Sequence, residues 1–185
     1  MKITKLMSMF LAALFFMGCA HRFPAPGDIT VVKSEFDGTV EVSMEPARVC
    51  LPGASVCTIK LDLMHNSKMK PDQAMMRVLV MGLEQFAPGE AVKFNIDGEI
   101  VGLTSIDTNS THDERPGMAG SDDYWTSQRY MVDKQFIEKL LNGKRVVVRV
   151  DLQKSFAEGI FSDDKPHRAR NAFRQFYKQV FSASI

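Results

Sequence analysis

A turn at Asp97-Gly98 restricts the fold of this chain more than any other feature of its sequence. The pair lies in the segment AVKFNIDGEIVGLTSI, residues 91–106, between two short runs that alternate apolar and polar residues. Asp and Gly suit a two-residue type I′ turn, because both of its positions need positive φ. Such a turn fixes the strand register and predicts an antiparallel hairpin with its apolar side chains on one face. The two cross-strand pairs predicted on that face are Phe94 with Val101 and Val92 with Leu103.

Several other segments have the composition of strands. Residues 57–63 alternate strictly between apolar and polar side chains, which predicts a half-buried strand. Residues 75–83 are almost uniformly apolar, which predicts a central strand buried on both faces. The full set of predicted strands covers residues 29–35, 39–44, 57–63, 75–83, the two arms of the hairpin within 91–106, 144–152 and 155–161.

The last third of the chain changes to a helical period. Asp133 can cap a helix that ends at Gly143, and a second helix is predicted to begin with the residues from Asp163 to Pro166. Each segment carries one apolar stripe. The sequence therefore predicts an α+β fold, a mostly antiparallel sheet of about 6–8 strands with two amphipathic helices late in the chain. The alternative is a β-sandwich with peripheral helices.

Residues 1–18 have the three-part form of a bacterial export signal. Two lysines near the start precede a mostly apolar run from Leu6 to Met17. This run is too short to cross a bilayer, which takes about 20 apolar residues. It ends in Gly18-Cys19, which resembles the lipobox of bacterial lipoproteins.

The lipobox resemblance covers residues 1–20 and implies a lipid anchor. In lipoproteins the cysteine receives a diacylglycerol and becomes the new amino terminus, so the resemblance implies contact with the bilayer through acylated Cys19. Ala20 at the next position implies the outer membrane of a Gram-negative cell, with the domain facing the periplasm. The predicted organisation is a signal peptide at 1–18, a tether at 19–27 and a single α+β domain at 28–185.

The charge balance argues against a nucleic-acid-binding protein. The full chain has 23 basic and 22 acidic residues, and removal of the predicted signal, with Lys2 and Lys5, leaves 21 basic residues against 22 acidic ones. Nucleic-acid-binding domains usually carry a clustered basic excess. We therefore expect no nucleic-acid partner; the expected partner is an envelope protein or polymer.

Cys50 and Cys57 are predicted to form a disulfide. Pro52-Gly53 marks a turn between them, and both flanking segments can be extended, so the cysteines can face each other across a hairpin. An exported chain enters an oxidising compartment, and a lipidated Cys19 leaves these two thiols to pair. The alternative is two separate buried thiols. Their spacing is not CxxC, which favours a structural cross-link over redox chemistry.

Residues 107–125 are predicted to be the longest loop, where a functional site would be expected. His112, Asp113 and Asp122 are its candidate ligands for a divalent cation. Their spacing matches neither H-E-x-x-H nor the EF-hand loop, so a solvated polar loop is the favoured interpretation. The sequence predicts no metal site and no cofactor.

The sequence carries no motif that identifies a catalytic activity: it has no G-x-S-x-G elbow, no P-loop and no G-x-G-x-x-G. We therefore expect an outer-membrane lipoprotein that acts as a non-catalytic binding module. The alternatives are an envelope hydrolase that uses the 107–125 loop and a carrier of a small apolar ligand. Convergent His, Asp and Ser would favour the hydrolase, a deep apolar cavity the carrier, and an open sheet edge or exposed apolar patch the binding module.

Overall fold

A computed structural model of the chain describes residues 25–54, 56–116, 122–163, 165 and 167–182. Within these residues the chain forms eleven strands and two helices. The strands are β1 (Ile29–Lys33), β2 (Val40–Met44), β3 (Ala47–Val49), β4 (Ile59–Asn66), β5 (Gln73–Met81), β6 (Val92–Ile96), β7 (Glu99–Leu103), β8 (Thr111–Pro116), β9 (Asp122–Asp133), β10 (Val146–Asp151) and β11 (Phe156–Ser162). The helices are α1 (Lys134–Asn142) and α2 (Arg168–Phe181).

The strands form two antiparallel sheets. The larger sheet has seven strands in the order β1-β2-β4-β5-β9-β8, with β3 also paired to β4. The smaller sheet has four strands in the order β11-β10-β6-β7. An isolated bridge joins Cys50, directly after β3, to Ile160 in β11, and another joins Phe86 to Leu152. The predicted α+β fold with two late helices is confirmed, whereas the division of its strands between two sheets was not predicted.

One hydrophobic core lies between the helices and both sheets. We call the face of the larger sheet that carries the fully buried Leu63, Met76 and Tyr130 its inner face, and the opposite one its outer face. Phe173 and Phe176 of α2 belong to the same core. Because the helices help to form the core rather than surround it, α+β describes the fold better than a sandwich with peripheral helices.

The hairpin predicted from Asp97-Gly98 is β6–β7. Its register pairs Phe94 with Val101, as predicted, and both turn residues have positive φ, 53° and 100°. The Asp97 carboxylate also accepts hydrogen bonds from the backbone amides of Lys144 at 3.0 Å and of the next residue at 2.8 Å. The turn is therefore fastened to the segment that leads into β10.

Helix α1 begins and ends as predicted. The Asp133 carboxylate caps it by accepting a hydrogen bond from the Phe136 amide at 2.7 Å. Gly143 follows the last turn with φ −59°, so its backbone conformation does not require glycine. Space requires it instead, because a Cβ at this position would lie 2.6 Å from Val146 Cγ2.

Helix α2 begins later than predicted. The Asp163 carboxylate accepts a hydrogen bond from the Lys165 amide at 2.7 Å and lies 2.7 Å from His167 Nε2, so it organises the preceding loop. The helix itself starts at Arg168, and His167 at its N-cap makes no side-chain cap bond. Local contacts of the Asp163 carboxylate thus form a loop where the sequence predicted the first turn of the helix.

The end of the predicted tether packs on the domain. Gly27 donates a backbone hydrogen bond to Glu45 O at 3.0 Å, and a Cβ on Gly27 would lie 2.8 Å from Ala172 Cβ in α2. A positive φ of 88° also favours glycine here. Residues 25–28 therefore form a turn against α2, while the rest of the predicted tether lies outside the described residues.

Strand β5 is central, between β4 and β9, as predicted. It is buried on both faces only over residues 78–80, because Met75 and Arg77 on its outer face are partly exposed. Strand β3, at residues 47–49, was not predicted.

Candidate binding surfaces

Cys50 and Cys57 form the predicted disulfide. Their Cα atoms lie 4.5 Å apart, one directly after β3 and the other shortly before β4, and these two strands pair with each other. Leu51 and Val56, inside the loop that the disulfide closes, are about half exposed. The cross-link thus holds the β3–β4 hairpin together and presents two apolar side chains beside it.

The prediction of a long loop at 107–125 is wrong, because β8 and the first part of β9 form a hairpin there. Thr111 pairs with Ser127 and Asp113 with Trp125. The sequence predicted a loop because acidic and turn-forming residues outnumber strand-forming residues in this segment.

The candidate metal ligands lie on two strands rather than in one loop. His112 and Asp113 are adjacent on β8, so their side chains leave opposite faces of the sheet. His112 Nδ1 lies 2.9 Å from Thr126 Oγ1, whereas Asp113 lies 4.0 Å from the Arg77 guanidinium. Asp122 is the first residue of β9. In the described part of the chain, no group of three or more His, Cys, Asp or Glu residues could hold a metal ion.

Each histidine among the described residues has a hydrogen-bond partner, and none of these pairs belongs to a catalytic triad. His65 Nδ1 lies 2.8 Å from Gln73 O, and His167 Nε2 bonds to Asp163. Neither they nor His112 are among the residues that line the two cavities of about 400 Å³ described below. This geometry does not support the hydrolase alternative.

The first of these cavities, which we call the inter-sheet cleft, is lined by residues 85–89, 104, 105 and 107–110 together with Gln128 and Gln153. Gln128 accepts a hydrogen bond from the Tyr130 hydroxyl at 2.9 Å. Burial raises the pKa of Tyr130, which keeps its hydroxyl protonated as a donor. Amide and hydroxyl groups dominate the lining, so the cleft does not resemble the deep apolar cavity of a carrier.

Asp107, which lines the inter-sheet cleft, forms an ion pair with Arg129. Arg129 lies 2.7 Å from Asp107 and also donates its backbone amide to this carboxylate at 2.7 Å. The hydrogen bond from the Arg129 side chain lowers the pKa of Asp107, which therefore stays ionised. A carboxylate held in this way is unsuited to act as a general acid or base near neutral pH.

The outer face of the larger sheet carries a second cavity of about 400 Å³. Arg77 pairs with Asp62 at 2.7 Å across β4 and β5 on this face. Lys60 Nζ lies 3.6 Å from the centre of the Trp125 ring, a cation–π contact. In the described residues the helices pack on the opposite, inner face, so this face is open to ligands.

Strand β1 is an open edge of the larger sheet, since among the described strands it pairs with β2 alone. Val31 and Val32 are 51% and 54% exposed, and Phe36 in the following loop is fully exposed. Asp37 fastens that loop through an ion pair with Lys68 at 2.5 Å. This combination of open edge and exposed apolar side chains is the feature expected of a binding module.

The lipobox-like residues, including Cys19, lie outside the described residues. Within the described part of the chain, neither helix has the length and apolar character needed to span a membrane. No protein-family model matches the chain, and no curated protein matches it either.

Proposed function

We propose that the protein is an outer-membrane lipoprotein whose domain is a non-catalytic binding module in the periplasm. The lipobox-like Gly18-Cys19 supports an acyl anchor, and the Cys50–Cys57 disulfide suits an oxidising compartment. The partner is an extended segment of an envelope protein, which adds to the larger sheet as a new strand beside β1.

The main support for this proposal is that alternate residues of β1 direct their backbone hydrogen-bonding groups to the open edge. The Glu45 amide donates to Asp28 O at 2.8 Å, and the Ser34 amide donates to Thr39 O at 2.8 Å. In an antiparallel ladder every second residue bonds to the partner strand, so the even-numbered residues of β1 bond to β2. The N–H and C=O groups that point to the open edge belong to Ile29, Val31 and Lys33.

The side chains of β1 define the chemistry of the partner. Val31 and Val32 are exposed on opposite faces, and β1 contains neither a proline nor a bulge that would block pairing at its edge. Lys33 is the one charged residue within Ile29–Lys33. The partner segment therefore has alternating apolar residues and an acidic residue opposite Lys33, where an opposite charge stabilises a cross-strand pair.

The substitution Val31→Pro tests strand addition, because it removes an outward N–H and leaves the bonds between β1 and β2 intact. Val31→Thr is the matched control, since it keeps both the N–H and β-branching. With a photo-crosslinking amino acid in place of the exposed Glu35, full-length protein in cells should crosslink to one envelope protein. We expect Val31→Pro to lower the crosslinking yield about tenfold, because the loss of one hydrogen bond lowers affinity by roughly that factor. Val31→Thr should preserve the yield.

Two results would contradict strand addition at β1. One is an equal crosslinking yield for the Val31→Pro and Val31→Thr proteins. The other is unchanged hydrogen exchange at the amides of Val31 and Lys33 in the isolated complex, because pairing with a partner strand protects outward amides. A crosslink to an envelope polymer would identify a different partner class.

The anchor is tested separately with Cys19→Ser. The wild-type chain should incorporate labelled palmitate and fractionate with the outer membrane, whereas the variant should do neither. A Cys19→Ser chain that still partitions with membranes would remove the lipid anchor from the proposal and leave the β1 edge untouched.

A further inference from the structure

Three methionines lie side by side across the outer face of the larger sheet. Met75 on β5 is the direct partner of Met64 on β4 and of Met131 on β9. Directly paired residues project to the same face of a sheet, so their side chains form one row, which we call the methionine row. No described element covers the outer face, and side chains on such a face are usually polar. Three adjacent apolar side chains there therefore need an explanation.

The methionine row is accessible and adjoins a cavity. Met64 and Met75 are partly buried and line the second 400 Å³ cavity, and Met131 beside them is 37% exposed. The thioether groups can therefore be reached from solvent without unfolding of the sheet.

The charges around the row favour a cation. The cavity lining contains three carboxylates and two guanidinium groups. Arg77 is paired with Asp62 at 2.7 Å, and Arg129 is paired with Asp107 at 2.7 Å. Both guanidinium charges are thus already balanced, and the carboxylates of Glu41 and Glu45 remain in the lining.

We infer that the methionine row binds a soft monovalent metal ion of the Cu(I) type. Neutral thioethers are soft ligands that select Cu(I) over hard cations. Thiolates, the competing soft ligands, are removed at Cys50 and Cys57 by the disulfide.

The spacing of the row suits two metal–sulfur bonds at a time, one from Met75 and one from a neighbour. Facing Cβ atoms on neighbouring strands are about 5 Å apart, and each sulfur lies two bonds beyond its Cβ. A metal ion placed between Met75 and either neighbour can therefore be reached by both sulfurs at about 2.3 Å, the usual metal–sulfur distance, and Met75 is shared by the two positions. Methionine has enough rotatable bonds for the outer two side chains to lean toward the centre.

Silver(I) is the probe for this site, because it is soft, monovalent and stable without a reductant that would cleave the disulfide. Any free thiol in the full chain is first alkylated. We expect isothermal titration calorimetry in chloride-free buffer to show one Ag(I) bound per chain. With ¹³C-labelled methionine methyl groups, the signals of Met64, Met75 and Met131 should shift together at one equivalent.

Two substitutions distinguish Ag(I) binding by the methionine row from Ag(I) binding by other methionines. Met75→Leu preserves size and apolar character and should weaken Ag(I) binding at least about tenfold, since it removes the central ligand. Met69→Leu, in the β4–β5 connection, is the matched control and should leave the affinity unchanged. Circular dichroism checks that both variants are folded.

The methionine row is not a metal site if the wild-type chain binds no Ag(I). The same conclusion follows if Met75→Leu and Met69→Leu bind it equally, or if other methyl signals shift instead. Calcium and zinc should not move the three signals, because thioethers are poor ligands for hard cations; a shift with either ion would also overturn the inference.

Discussion

The hairpins β1–β2 and β6–β7 both turn near an Asp-Gly pair, yet their turns differ. In β6–β7 the turn has two residues, and Asp97 and Gly98 both have positive φ. In β1–β2 the loop spans residues 34–39, and Gly38 alone of its Asp-Gly pair has positive φ. The same dipeptide thus gives a tight turn in one place and a wider loop in the other.

The surroundings of the two hairpins explain the difference. Phe94 of β6 is fully buried, and its ring lies 5.3 Å from that of Phe136 on α1. The Asp97 carboxylate is held by two backbone amides that lead into β10. By contrast, Val32 of β1 and Phe36 of the loop face solvent. One hairpin is therefore part of the core, and the other presents a surface.

Truncation of a core-facing residue should show the largest contrast. We expect Phe94→Ala to lower the free energy of unfolding by about 3–5 kcal/mol, because it empties a packed site between β6 and α1. Val32→Ala in β1 should cost less than about 1 kcal/mol, since no core packing is lost. Chemical denaturation measures both, and similar losses for the two variants would contradict the assignment of their roles.

The β3–β4 hairpin is a third case, in which a disulfide closes a loop that also contains a turn, where the Ala54 amide donates to Leu51 O at 3.1 Å. Removal of the disulfide in a Cys50→Ala/Cys57→Ala chain should cost about 2.5 kcal/mol, the chain-entropy value for a loop of about eight residues. Reduction of the wild-type disulfide should lower the free energy of unfolding by a similar amount. If reduction has no effect while mass spectrometry shows two free thiols, the cross-link does not stabilise this hairpin.

The well-predicted parts of the fold are those controlled by near neighbours in sequence. Asp97-Gly98 and the Asp133 cap act over three or four residues, so the turn and register of the β6–β7 hairpin and the ends of α1 were predicted correctly. Strand β3 is too short at Ala47–Val49 to show a period. The division into two sheets depends on long-range pairing, which no local pattern of this chain specifies.

The candidate surfaces were predictable to different degrees. The Cys50–Cys57 pair followed from spacing and compartment, whereas the open edge of β1 depends on the order of strands in the sheet. The methionine row was missed for a similar reason. Its residues lie on three strands, and only the observed register places Met75 between Met64 and Met131.

The two aspartates of the Asp-Gly pairs should differ in their response to salt. Hydrogen bonds lower the pKa of both, from the Arg145 and Lys144 amides at Asp97 and chiefly from the Lys68 side chain at Asp37. Each carboxylate therefore stabilises the fold above its ordinary pKa of 3.8, and this stabilisation is lost as the pH falls through the lowered pKa.

Melting temperatures between about pH 2 and 6 test this difference. Asp97→Asn should reduce the fall of the melting temperature at acid pH, and it should do so equally at low and high salt, because hydrogen bonds from backbone amides are little affected by screening. Asp37→Asn should have an effect that fades in about 1 M salt, because Lys68 is exposed and the ion pair is screened. Equal salt sensitivity would mean that Asp97 is not held by the backbone of the β10 segment in solution.

The smallest effect on stability is expected where each hairpin exposes an apolar side chain. Phe36 is fully exposed, and Ile100 of β7 is 68% exposed, so Phe36→Ser and Ile100→Thr should each change the free energy of unfolding by no more than about 0.5 kcal/mol. Their effects on binding should nevertheless differ, because Phe36 adjoins the open edge of β1 and Ile100 belongs to the other sheet. We expect Phe36→Ser to reduce crosslinking from position 35 and Ile100→Thr to leave it unchanged.

A stability loss above about 1 kcal/mol for Phe36→Ser would show that this side chain is packed in solution, and the contrast between a structural and a surface-presenting hairpin would then fail.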